Sequence, residues 1–223
     1  MSDLSPTDRT RLTREKERGR SERAELLALL DEALIAHIGV DAGDHPVVLP
    51  VAFAVDPEGP DRDGTLYVHG SVGAGWMRRA PGSTVCVTVT SVDGLVLARS
   101  GFNHSMNYRC AVVIGEARLV DDLDERARAM DLTVDHVVPG RAAALRANTR
   151  KELAATAMLA VPLHEASLKT RTGGVEDEPE DVTAGAWAGV LPLRVVAGEL
   201  ETDADTSEPV PDHVAARAAQ LRG

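Results

Sequence analysis

The apolar positions of the chain change period once, near its start, and keep the new period for most of the remaining length. Leu26, Leu27, Leu29, Leu30 and Leu34 recur at helical spacing, which predicts an amphipathic helix led in by an exposed Arg- and Glu-rich arm over residues 5–31. Arg9, Arg11, Arg14 and Arg18 in that arm are interleaved with Glu15 and Glu17, the pattern of a solvated face. Val-rich runs of strand length follow: Ala36–Val40, Val47–Val55, Thr65–His69, Thr84–Thr90, Leu95–Arg99 and Ala111–Val120. Turn signals separate them at Asp41–Asp44, Pro57–Gly64, Pro81-Gly82 and Asp93-Gly94. Asp93-Gly94 is the strongest hairpin signal, because a two-residue turn with positive φ is cheapest with Asp followed by Gly.

The second half returns to mixed patterning. Leu123–Val138 and Arg141–Ala157 are expected as helices, and Met158–Leu163 and Ala166–Arg171 as strands. An acidic loop over Glu176–Asp181 precedes a last strand within Trp187–Val196. Many short strands at such spacing imply a closed or nearly closed antiparallel sheet, so the fold class is mainly β, a β-barrel with flanking helices. The expected organisation is a charged arm over 1–21, one barrel domain over 22–197, and an acidic, Pro- and Ser-containing mobile tail over 198–223.

Composition narrows the partners. A formal charge of −11 repels polyanions, which argues against nucleic-acid and anionic-membrane binding through bulk electrostatics and leaves a phosphate-bearing ligand in need of a local positive site. No apolar run reaches the roughly 20 residues of a spanning helix, and a cytoplasmic protein is expected. Aromatics make up only 3% of residues, so the position of each is informative. Cys86 and Cys110 lie in apolar runs with no ligand-like neighbours and are expected as buried free thiols. The histidines show no metal spacing, and no HExxH, CxxC or P-loop is present.

Two segments carry candidate chemistry. In the run from Leu66 to Arg79 a strand ends at His69-Gly70-Ser71, and Gly73 and Gly75 precede a short helix with Trp76. Such a turn can direct backbone N–H groups at an anion if its glycines take positive φ, although a tight turn needs glycine for steric reasons too. The polar insertion Asn103–Arg109 interrupts a regular strand pattern, as residues lining a ligand mouth do and as a bulge also does. Arg109 within it enters an apolar strand and calls for an anionic partner. Lys169 and Arg171 alternate on one strand face, where two cations suit an anion and also suit a solvated edge.

Asp93–Ser100, His104–Arg109 and the apolar strand into Gly115 resemble the pyridoxamine 5′-phosphate oxidase-like, FMN-binding split-barrel proteins, nearest to the branch that includes the nitroimidazole-resistance proteins. The resemblance runs from about Glu22 to Leu193 and takes in His69-Gly70-Ser71, Pro139-Gly140-Arg141, Glu165–Arg171 and Trp187–Val190. It implies a homodimer with FMN in a cleft between subunits. The flavin edge would be met by the backbone of Val48, Leu49, Pro50 and Val51, and the phosphate would sit near His69, Gly70 and Ser71. Arg109 would lie at the site, and His69, close to the flavin, would be the catalytic candidate.

The chain departs from that pattern where relatives carry Arg or Lys after the Ser, since Gly75 and Trp76 stand there. FAD and deazaflavin F420 are therefore alternatives to FMN, and the resemblance to related split barrels adds haem. Trp76 and Trp187 can each flank a planar ring, and Trp187 is expected at the dimer interface. A flavin-dependent oxidoreductase acting on a small planar substrate is the leading expectation. Its rivals are a non-catalytic flavin or haem carrier and a cofactor-free structural dimer.

Overall fold

The computed structural model describes residues 3–4, 7–183 and 185–222. The elements in chain order are β1 (Gly19–Arg20), α1 (Arg23–Glu32), β2 (Ala36–Asp41), β3 (Pro46–Val51), β4 (Phe53–Asp56), β5 (Thr65–Ser71), α2 (Gly75–Arg79), β6 (Thr84–Leu97) and β7 (Ser105–Glu116). They continue with β8 (Arg118–Leu119), α3 (Leu123–Val137), α4 (Arg150–Ala155), β9 (Thr156–Pro162), β10 (Ala166–Arg171), α5 (Pro179–Thr183), β11 (Gly189–Pro192) and α6 (Asp212–Arg222).

All pairings are antiparallel. One sheet has the order β1-β10-β7-β6-β2-β3 with β11 added to β6, and a smaller sheet has the order β4-β5-β9-β8. Two chain segments serve both sheets. The apolar run Val47–Val55 is a single strand bent at Ala52 into β3 and β4, and β7 passes through Ala117 into β8. At the second bend Gly115 is required sterically, since a Cβ there would stand 3.0 Å from Val161 and 3.1 Å from Pro162. The sheets thus fold over one another as a split barrel around Ile38, Phe53, Leu66, Val68, Val87, Val113, Leu159 and Val161.

Alternation along the strands produces this core directly. In β5, Leu66 and Val68 enter the barrel while Tyr67 joins Met158 and Ala160 in a second cluster beneath α3. Leu26, Leu29 and Leu30 of α1 close the barrel, each fully buried side chain contributing roughly 1.5–3 kcal/mol. Tyr67 donates to Glu125 at 2.9 Å, and Arg118 bridges Glu125 to Asp61. Burial and the Glu125 carboxylate both push the Tyr67 phenol's pKa upward.

Four expectations change. Asp93-Gly94 is no hairpin turn: β6 runs through it, Asp93 is the extra residue of a bulge, and the chain reverses at Ser100–His104. Gly94 is small because β11 lies against it, with the Leu191 carbonyl 3.2 Å from where its Cβ would be. The helix expected over Arg141–Ala157 is a 3₁₀ turn at Ala142–Ala144 followed by the six-residue α4, which a Thr149–Glu152 capping box starts late. The acidic loop contains the short α5, and where a mobile tail is expected α6 packs on the end of α3, with Arg217 donating to the Val137 carbonyl at 3.0 Å.

The arm is also docked rather than free. Leu4 is buried, Gly19 and Arg20 add an edge strand to β10, and Thr7 and Arg9 both donate to Glu165, at 2.8 and 3.0 Å. Among the described residues no helix is long and apolar enough to cross a membrane. Both cysteines are free and half-buried, and burial raises the Cys86 thiol's pKa.

Two measurements check these contacts. Tyr67→Phe removes one hydrogen bond while Glu125 keeps Arg118, so it should lower stability by about 1 kcal/mol in urea unfolding. The Arg9 guanidinium and the Thr7 hydroxyl hold the Glu165 carboxyl down to about 2. A depressed carboxyl stabilises docking above its ordinary range and loses that contribution as pH falls through the depressed value. Hydrogen-exchange protection over residues 7–20, taken relative to the intrinsic rate at each pH, should therefore be high at neutral pH and fall between about pH 4 and 2, ahead of the barrel strands; protection unchanged over that range would refute it.

Candidate functional site

The strand expected to meet the ligand is the free edge of the larger sheet. β3 pairs only with β2 among the described residues, so its outer N–H and C=O groups face outward. Its side chains diverge: Val51 and Leu49 turn to the core, whereas Val48, 65% exposed, and Pro50 lie on the open face.

At the inner side of this hairpin is a cavity of about 330 Å³ lined by Val40, Val47, Leu49, Gly75, Trp76 and Arg79, with Ala42, Asp44 and His45 at its rim. It brings together two segments far apart in sequence, the β3 strand and the start of α2, both of which contain residues singled out above. Arg79 also donates to the Ala42 carbonyl, and His45 Nδ1 lies 2.6 Å from Asp44. His45 was not a candidate on sequence grounds, and Arg79 stood there only as one of two arginines, with Arg78, that could compensate for the missing cation after Ser71.

The turn after His69 is built largely for itself. Ser71 Oγ accepts from the Gly73 N–H at 3.2 Å, the Ser71 carbonyl accepts from Ala74 at 2.9 Å, and the Val72 N–H goes to Ala155. Gly73 does not take a positive φ, so the steric argument for glycine there fails, and a Cβ at Gly75 would meet nothing within 4 Å. Gly70 is the position that needs to be small, with Met77 at 3.0 Å and Trp76 at 3.1 Å from its would-be Cβ. The His69 side chain is exposed, on the Tyr67 face of β5 and away from the barrel core.

The three cations expected near an anion are already engaged within the chain. The bulge frees the Asp93 side chain to accept from Arg109 at 3.0 and 2.7 Å, and Arg109 also clasps Glu32 at the end of α1 and Ser91. Glu32 would otherwise face the negative end of its helix, so Arg109 relieves an unfavourable dipole as well. The Glu32 and Asp93 carboxylates push the Arg109 guanidinium's pKa up, and Arg109 pulls both carboxyls down. Arg171, 6% exposed, donates to Asn107 and the Gly174 carbonyl, and Lys169 donates to the Arg14 carbonyl in the arm. Lys169 and Arg171 share a strand face as expected, but each fastens a different peripheral segment.

Trp187 stands at the far end of the larger sheet, 71% exposed, its ring over Gly189. It is distant in the fold from Trp76, which packs against the core.

A family model described as pyridoxamine 5′-phosphate oxidase matches residues 22–170. The chain belongs to that family. No curated protein matches the sequence. Among solved structures it is similar to the flavocytochrome Anf3 from Azotobacter vinelandii, with 33% identity and a TM-score of 0.86 over 95% of this chain and 97% of the other. It is also similar to the FAD and heme binding protein from Mycobacterium smegmatis, with 37% identity and a TM-score of 0.82 over 90% and 97%. A Bacteroides thetaiotaomicron protein assigned to 5-nitroimidazole antibiotic resistance shares the fold at 19% identity and a TM-score of 0.54, over 68% of this chain and 85% of that one. The split barrel expected from the motifs is thus the family's fold, and the first two structures cover more of the chain than the family model does.

Arg109→Ala should behave as the loss of a structural ion-pair hub, leaving Asp93 and Glu32 facing one another. Urea unfolding should show a loss of roughly 1–3 kcal/mol, with Arg109→Lys recovering only part because Lys cannot span both carboxylates. A fold of unchanged stability with weakened ligand binding would return Arg109 to the ligand site.

Proposed function

We propose that this chain is a flavin-binding oxidoreductase that also holds haem, with FAD as the flavin and a homodimer as the working form. The likeness over nearly the whole length to a flavocytochrome and to an FAD and heme binding protein carries this reading. The cations do not separate FAD from FMN: both ligands bring phosphate charge, Arg109 and Arg171 are committed, Gly75 offers no side chain, and Arg79 stands at the cavity edge for either. FAD adds an adenine that gains from apolar and stacking contact, and the cavity beside Leu49 and Trp76 has that character, with Arg79 at its edge.

When bound, a flavin supplies hydride and single-electron transfer, and a haem supplies one-electron chemistry. In this reading the outer edge of β3, through Val48–Val51, offers backbone groups to the ring's polar edge. Trp76 provides a flat wall, Arg79 faces phosphate, and exposed His69 stands at the rim as the candidate for proton handling toward a small planar substrate. A homodimer accounts for the exposure of Trp187, Leu191, Val195 and Val196, which a chain with so few large aromatics leaves uncovered. A cytoplasmic setting agrees with two free thiols.

The visible spectrum of the purified full chain, with released cofactors identified by mass, tests the reading: flavin bands, a Soret band and the mass of FAD are expected. A mass of FMN would restore the monophosphate, and the absence of any chromophore after incubation with flavin and haemin would favour a structural dimer. Gly75→Arg has room for its side chain and should tighten FAD and FMN by roughly tenfold, about 1.4 kcal/mol, while leaving riboflavin unchanged. Equal effects on all three ligands would move the phosphate away from this turn.

A further inference from the structure

The larger sheet has a second recess at the edge opposite β3. There β1 joins β10 for two residue pairs, Gly19 with Lys169 and Arg20 with Leu168, and the chain before it folds back over the junction. A 3₁₀ turn at Lys16–Arg18, entered through Glu15 at a φ of 53°, makes the reversal. Gly19 has to be small, since a Cβ there would stand 3.0 Å from Leu12 and 3.1 Å from the Lys16 carbonyl oxygen. At the far end of the arm the Leu4 N–H donates to the Ser21 carbonyl at 2.6 Å, and Thr7 and Arg9 hold Glu165.

Between this folded-back arm and β10 is a cavity of about 280 Å³. Buried Leu4 and Leu168 and half-buried Leu12 form its apolar walls, and Arg11, Lys16 and Arg20 stand around them. No carboxylate is among its described lining residues, although Asp and Glu outnumber Lys and Arg by 35 to 24 in the chain. These cations are lightly engaged. Arg11 donates to Asp8 at 2.8 Å in an exposed pair, and Arg20 donates to the Gly19 carbonyl at 3.2 Å with Nε 3.7 Å from Glu25. Arg109, by contrast, is clasped by two carboxylates. Exposed ion pairs contribute little, so an incoming anion displaces them readily.

Apolar walls alone suit any oily molecule, and surface cations alone suit any anion. Their meeting in one recess selects a molecule with both parts, because the chain gains by leaving water while the head makes charge-assisted bonds at the mouth. The volume lies just below the roughly 300–1,000 Å³ of pockets for drug-sized ligands, which limits the chain to a short one.

We propose that this cavity binds a short amphiphilic anion, a carboxylate or phosphate head on an apolar chain, with the chain against Leu4, Leu12 and Leu168 and the head among Arg11, Lys16 and Arg20. Most of the lining belongs to the arm, so the ligand needs the arm docked and by linkage holds it there. The site shares no lining residue with the cavity beside Trp76 and stands independently of the flavin and haem reading.

Calorimetric titration of the full chain with decanoate and decyl phosphate, below their micelle concentrations, tests this beside decanol and inorganic phosphate. One molecule of decanoate or decyl phosphate should bind per chain, and the tighter of the two identifies the head group. Decanol and inorganic phosphate should each bind weaker by roughly tenfold or more. The anion should also raise hydrogen-exchange protection over residues 7–20. Lys16→Glu should weaken binding by roughly tenfold or more, whereas Arg14→Glu, the same charge change at a side chain outside the cavity, should change it less than about threefold. Protection without ligand checks that the arm stays docked in both, and if Lys16→Glu loosens it, Arg11→Gln takes its place with the same expectation. Decanol binding as tightly as the anions would reduce the cavity to an apolar recess, and inorganic phosphate binding as tightly would reduce it to a cationic surface; either overturns the proposal. Equal weakening by Arg14→Glu, or no saturable binding of either amphiphile, would overturn it too and leave the cations as covers for the leucines.

Discussion

Two strands of this barrel have to serve two sheets, and the remainder of the fold is arranged around that requirement. A strand can change sheets only by bending sharply, and at Ala52 and Ala117 the bend is made at a small residue. Beside the second bend, Gly115 lets β9 approach to a distance at which no side chain fits. Because both bends keep the inward alternation intact, Val51 and Phe53 on one strand, and Val113 and Ala117 on the other, remain in a single core. The same bends leave β3 at the sheet edge, so the part of the molecule that offers free backbone groups follows from how the barrel closes.

Arginine ties the periphery to this frame. Arg109 joins the bulge in β6 to the end of α1, Arg118 joins the smaller sheet to α3, Arg171 holds the segment after β10, and Arg217 fastens the last helix to α3. With an overall charge of −11, nearly every well-placed guanidinium has a carboxylate or carbonyl within reach. Planar, multidentate donors suit this work better than lysine does. The consequence for function is that an anionic ligand meets few uncommitted cations, which shifts the weight of recognition onto backbone groups, shape and apolar contact.

The scarcity of aromatics has a parallel effect. Phe53 and Tyr67 are fully buried and Trp76 is packed against the core, whereas Phe102 and Trp187 are held out at the opposite end of the larger sheet. Exposed rings of this size are costly in water, and they stand at the end of the sheet where Leu95 is in register with Met106 and Leu191.

The fold class was legible in the sequence because period-two alternation and Val-rich runs are local properties. They located β2 and β10 to within a residue and β5 and β9 to within two, and helical periodicity placed α3 to within one and found the apolar face of α1. The joint motifs His69-Gly70-Ser71 and His104–Arg109 likewise carried the family, since they are short and contiguous. What the sequence could not decide was set by partners distant along the chain. Asp93-Gly94 has ideal turn chemistry, yet β11 and Arg109 use it as a bulge. A basic, apparently solvated arm docks because Glu165, more than 150 residues away, receives it. Arg109, Lys169 and Arg171 were recognisable as cations needing anions or acceptors, but only the tertiary structure showed that the chain itself supplies them. Long-range pairing, not local propensity, determined which residues were left free to meet a ligand.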